Sequence, residues 1–157
     1  MENRRKLHDS GLVLIIYGIL QLFVFVGTIV DDLVDGRMIN EIAAVDADIV
    51  VAVIVVLVII GLITALLVGA DILLGLKALK VSQNPNASKG YIIIAKIFMI
   101  LSCIATISHA VALFGGNGGS AIDTGLNLAS ATLSVCIYLM FVTAADAVRK
   151  DVLNEAK

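Results

Sequence analysis

The chain has 157 residues, of which 60% are hydrophobic and 15% charged, with a mean hydropathy of +1.05 and a formal net charge of -2. Charged residues make up about a quarter of an ordinary soluble domain, so this balance excludes a water-soluble globule and points to the bilayer as solvent. The near-neutral charge offers no basic surface to nucleic acid, and Cys103 and Cys136, both inside apolar runs and without a C-x-x-C spacing, suggest neither a disulfide scaffold nor a zinc site.

A hydrocarbon core of about 30 Å takes roughly 20 apolar residues to cross as a helix. The first run that long is Gly11–Val30, preceded by Arg4, Arg5 and Lys6. Its apolar core exceeds that of a secretory signal and no A-x-A-like site precedes Asp31, so it reads as a retained span. The stretch Asp31-Asp32-Leu33-Val34-Asp35-Gly36 then follows. Asp-Asp-x-x-Asp is how prenyl-diphosphate enzymes hold magnesium, and Asp-x-x-Asp-Gly opens the motif of membrane CDP-alcohol phosphotransferases. The continuation of that second motif fails, because its required Ala, Arg, Gly, Asp and Asp fall on Ile39, Asn40, Ile49, Val53 and Leu57. A second aspartate-rich motif of the prenyl type is also missing from the sequence. Asp31, Asp32 and Asp35 are therefore expected to form the solvated acidic cap of the first span, with loose binding of calcium or magnesium, and after it a metal site of a lipid-headgroup enzyme, as the lesser alternatives.

The second run, Ile49–Leu76, is the most apolar, with 16 Ile, Leu or Val residues between Ile49 and Ala70. At about -0.4 kcal/mol each, these contribute on the order of -6 kcal/mol to insertion. Gly61, Ala65 and Gly69 place small residues on one stripe of this helix, the spacing that lets another backbone approach closely. Asp71 lies near its far end. Asn84-Pro85-Asn86 marks the turn that follows, and the only proline of the chain ends the helix there. Asn86-Ala87-Ser88 is a glycosylation sequon in a loop expected on the cytoplasmic side, where it goes unused.

The third run, Tyr91–Phe114, carries Lys96 near its start, Cys103 midway and His109 in its outer half. A flexible Gly-Gly-Asn-Gly-Gly-Ser spacer leads to the fourth, Gly125–Ala145, diluted by Asn127, Ser130, Thr132, Ser134 and Thr143, with Asp146 just beyond it. If the hairpin between these two runs closes near Gly119, Cys103 faces Cys136, and Lys96 can snorkel to Asp146. Lys96, Met99, Cys103, Thr106 and Ala110 then share a face, as do Ala129, Thr132, Cys136, Met140 and Thr143, which predicts a seam of small and polar residues. Asp71 offers Lys96 a second partner.

Four spans put the amino terminus, the middle loop and the carboxyl terminus on one side. That side receives Arg4, Arg5, Lys6, Lys77, Lys80, Lys89, Lys96, Arg149, Lys150 and Lys157, leaving Arg37 alone of the eleven basic residues opposite. The positive-inside rule makes both termini cytoplasmic. A faint repeat aligns Ala70-Asp71 with Ala145-Asp146 and Gly11 with Gly90, as a duplicated hairpin would.

The sequence therefore predicts one all-α membrane domain over residues 1–157, an antiparallel four-helix bundle in the cell membrane with both termini inside. No catalytic residues and no cofactor are expected. The intramembrane cluster Asp71, Lys96 and Asp146 is the candidate functional site; Gly61, Ala65, Gly69, Cys103 and Cys136 are candidate packing residues, and His109 a polar contact between helices. The expected role is that of a structural, accessory or scaffold subunit whose partners are membrane lipids and either further copies of itself or another membrane protein. The rival is a small oligomeric channel or transporter using the Asp71, Lys96 and Asp146 cluster on its inner side.

Overall fold

The computed structural model describes residues 2–34, 47–85, 88–115 and 121–155, and these residues form four helices and no strand. In chain order they are α1 (Glu2–Val34), α2 (Ala47–Gln83), α3 (Gly90–Phe114) and α4 (Ala121–Glu155). Each is long and apolar enough to cross a membrane. Even the shortest, the 25-residue α3, reaches about 38 Å at 1.5 Å per residue. Valine and isoleucine favour strands in water, yet the Val- and Ile-rich α2 is helical. A bilayer explains this, because an isolated span satisfies all its backbone hydrogen bonds internally only as a helix.

The helix ends follow from local chemistry. α1 opens on two polar turns, stitched by Lys6 to Glu2 at 2.7 Å and Arg5 to Asp9 at 3.9 Å, before its apolar stretch begins. α2 stops at Gln83; one last backbone bond runs from Asn84 N–H to Lys80 O at 3.0 Å, and Pro85 then has no N–H with which to extend the ladder. α3 ends at Gly115, whose N–H reaches Val111 O at 2.7 Å. Asp31 and Asp32 belong to the last turns of α1, whereas Asp35, Gly36 and the rest of that acidic loop lie outside the described residues, as does the sequon Asn86.

The chain divides into two compact units, Met1–Leu14 with Leu74–Lys157, and Ile15–Leu73. The first unit holds the fully buried Leu7, Leu14, Val81, Phe141 and Val148. Within it, α3 and α4 are joined by aromatic pairs. Tyr91 meets Phe141 edge-on with centroids 6.1 Å apart, and Phe98 stacks on Tyr138 at 5.9 Å. The start of α1 is tied to the end of α4 by Asn3 Nδ2, which donates to Asp151 Oδ2 at 2.9 Å.

This core corrects the expected seam. The buried face of α4 is Ser134, Ile137, Tyr138, Phe141, Ala145 and Val148, while Ala129, Thr132, Cys136, Met140 and Thr143 are exposed. The aromatic rings have more area to bury and more dispersion to gain than a thiol or a hydroxyl. The hydroxyls also need no neighbour: Thr132 donates to Leu128 O at 2.8 Å and Thr143 to Leu139 O at 2.7 Å along their own helix.

In the second unit the later part of α1 packs on the earlier part of α2 through Gly18. A Cβ built there would stand 3.1 Å from Asp71 Cβ and 3.4 Å from Val68 O, so the helices touch backbone to side chain. Tyr17, Val68 and Asp71 are buried around this contact. Away from it the apolar side chains face outward, Phe23 at 70% and Leu66 at 73% exposure, as lipid-facing positions do.

The close approach expected at Gly61, Ala65 and Gly69 is not made by the described residues of the chain itself. A Cβ at Gly61 would meet only the tip of Phe25 at 3.9 Å, and one at Gly69 would meet nothing within 4 Å. The tight positions lie on α1 instead, at Gly18 and, in the first unit, at Gly11, where a Cβ would come 2.8 Å from Ala78 Cβ and 3.0 Å from Gly75 O.

Candidate functional site

The first unit brings Lys96 and Asp146 together. Lys96 sits in the second turn of α3, seven residues after Lys89 and so on the same face; Asp146 and Arg149 are three apart on α4. Lys96 Nζ lies 2.8 Å from Asp146 Oδ2, with the two side chains 46% and 33% exposed. A pair this wet contributes on the order of 0–1 kcal/mol, so its value is positional. The pair closes one wall of a pocket of about 80 Å³ lined by Lys89, Ile92, Ile93, Lys96, Asp146 and Arg149.

The pocket is unevenly charged, with three cationic side chains around a single carboxylate. Arg149 Nε is buried with no hydrogen-bond partner among the described residues, and the same holds for the hydroxyl of Tyr91, the second residue of α3. Leaving such a donor unsatisfied costs about 1–3 kcal/mol. Lys89, in the N-cap position of α3, makes no side-chain cap hydrogen bond.

Asp71 belongs to the second unit and is 2% exposed there, against Gly18 of α1. A buried carboxylate inside an apolar helix is costly and usually engaged, and Asp71 does make an interaction within the described structure.

The remaining candidates are spread out. Cys103 and Cys136 are free thiols, Cys103 half-buried and Cys136 exposed. His109 is half-buried on α3. No group of three His, Cys, Asp or Glu side chains is poised for a metal among the described residues, and Asp35 lies outside them.

The first unit also has a shallow groove of about 600 Å³ between the start of α1 and α4, with Asn3, Lys6 and Asp9 at its polar end and Val13, Leu139 and Met140 at its apolar end.

Sequence reasoning counted Lys89 and Arg149 only as topological charges, met Tyr91 and Gly11 only as the starts of spans, and passed over Gly18. The signal was present in the spacings Lys89 to Lys96 and Asp146 to Arg149, each of which repeats a helical face, and in the seven residues from Gly11 to Gly18. No protein-family model, curated protein or solved structure matches this chain.

Proposed function

We propose that this chain is a small non-enzymatic four-span protein of the cell membrane, a structural, accessory or scaffold subunit that associates with further copies of itself or with another membrane protein. The observation that carries this reading is the uncovered stripe of α2. Gly69 has nothing within 4 Å of its Cβ position and Ala65 is exposed, with Leu62 and Leu66 beside them 61% and 73% exposed. Small residues at this spacing allow helices to approach closely in lipid, where packing replaces the hydrophobic effect as the driving force. A second helix therefore fits where the described residues supply none.

In this reading the spans alternate in direction as an antiparallel bundle, both termini are cytoplasmic by the distribution of Lys and Arg, and lipids are the other partners. Cross-linking in intact cells and pull-down in mild detergent test it. Dimers or a co-purifying membrane protein are expected; monomer alone in both experiments would refute it.

Asp71 favours one second reading, an oligomeric channel or transporter, because a carboxylate 2% exposed inside a span is the kind of group that ion pathways use. Here Asp71→Asn should change ion flux through protein-containing liposomes. Absence of flux under any ion gradient rules it out.

A further inference from the structure

We infer that the pocket between the start of α3 and the end of α4 is an anion site that takes a phosphate group, held by Lys89, Lys96 and Arg149. Three cations share the pocket with one carboxylate, and Asp146 is already engaged by Lys96 at 2.8 Å. Neither Lys89 nor Arg149 has an acidic partner among the described residues. Like charges lining one small pocket repel one another, and a shared anion offsets that repulsion.

Two further features point the same way. Arg149 lines the pocket, and a guanidinium fork matches the oxygens of a phosphate. The pocket also borders the start of the 25-residue α3 through Lys89, Ile92 and Ile93, where the helix dipole places its positive end.

Size and level narrow the ligand. At about 80 Å³ and open on one side, the pocket is small, a size that suits a compact oxyanion such as a phosphate group. The lining runs from Lys89 just before α3 to Lys96, and the exposed face of the helix is apolar from Ile93 and Ile94 through Ile97, Ile100 and Ile104, broken only by Lys96. A phosphate in the pocket thus stands where a bilayer changes from headgroup to acyl chain. The chemistry is that of a terminal phosphate, supplied either by a lipid headgroup or by a soluble phosphate. It does not depend on self-association.

Full-length protein in neutral detergent, analysed by native mass spectrometry with phosphatidic acid and phosphatidylcholine of identical acyl chains, tests the site. Phosphatidic acid should bind in preference. Arg149→Gln and Lys89→Gln should each weaken it about tenfold, the scale of one lost charge-assisted hydrogen bond. Lys150→Gln, which removes the same charge from the exposed neighbouring residue, should leave it unchanged. Asp146→Asn should strengthen binding, the opposite of what loss of a merely structural ion pair would do. Displacement by inorganic phosphate that is itself sensitive to Lys89→Gln identifies a soluble phosphate as the ligand, and resistance to displacement identifies the headgroup; either supports the site. Equal binding of the two lipids, or equal losses from Lys89→Gln and Lys150→Gln, overturns it, and because Lys89 is exposed at a helix start that comparison stands even if Arg149→Gln does not fold.

Discussion

Glycines of this protein stand in two opposite surroundings, closed upon at Gly11 and Gly18 of α1 and open at Gly61 and Gly69 of α2, although each helix has one of the other kind, the open Gly27 on α1 and the buried Gly75 on α2. On α1, Gly11 and Gly18 are closed upon: a Cβ at Gly11 would lie 2.8 Å from Ala78 Cβ, and one at Gly18 3.1 Å from Asp71 Cβ. On α2, Gly61 and Gly69 are open, with a first neighbour at 3.9 Å and none within 4 Å respectively. The α2 stripe has the spacing associated with close helix pairing, whereas the seven-residue step on α1 spells no such motif. The difference lies in the partner. Gly75 and Ala78 stand opposite Gly11, so two small surfaces meet and the backbones can approach. At Gly18 the same closeness is reached against the Cβ of Asp71 and the carbonyl of Val68, so small-residue spacing permits contact and the facing surface decides whether it is made.

The largest effect is expected from filling the closed position. Gly11→Leu forces a full side chain against Ala78 Cβ and the Gly75 carbonyl, neither of which is the movable end of a long side chain. Overpacking of this kind should cost about 3 kcal/mol, read as a lowered unfolding midpoint in detergent. Unchanged stability would mean that the glycine seam is not a real contact. Gly11→Ala is the milder form and should lose about 1–2 kcal/mol. Gly18→Ala, with its nearest neighbours at 3.1 and 3.4 Å, should lose less than Gly11→Ala.

The open stripe separates association from folding. Gly69→Leu adds bulk where the described residues leave nothing within 4 Å, so the monomer should lose no stability and should gain about 0.5 kcal/mol of helix propensity. If a second helix docks on α2, the same substitution should lower the cross-linked dimer fraction about tenfold, the scale of about 1.4 kcal/mol. A loss of monomer stability as large as that of Gly11→Leu would erase the distinction between the two helices.

The helical class was legible because a bilayer leaves a 16-fold Ile, Leu and Val run little choice of structure. Lys96 and Asp146 could be named from depth alone, since both fall near the ends of apolar runs where a lysine can reach back toward water. Rotation about the helix axis was not legible. On α4 the face with Thr132 and Cys136 and the face with Tyr138 and Phe141 have similar periodicity, and the sequence does not say which one α3 covers. Ring stacking of Phe98 on Tyr138 decides it, a contact between residues 40 positions apart. The anion pocket was hidden for the same reason: Lys89 and Arg149 become neighbours only once α3 and α4 are in register. Local spacing encodes which residues share a face, and long-range packing selects the face that is buried.

Gly69→Ala is the smallest perturbation and tests the sign of the comparison. Glycine within a helix costs about 0.5–1 kcal/mol relative to alanine, through the backbone entropy it gives up on folding. At an open position nothing opposes recovery of that energy, so Gly69→Ala should raise stability by about 0.5 kcal/mol. At Gly11 the same methyl group meets Ala78 Cβ at 2.8 Å, and the steric loss exceeds the gain in propensity. One substitution, made at two glycines of one protein, should therefore move the unfolding midpoint in opposite directions. Equal shifts would mean that the surroundings of the two positions are alike, and that α1 and α2 do not differ in what they pack against.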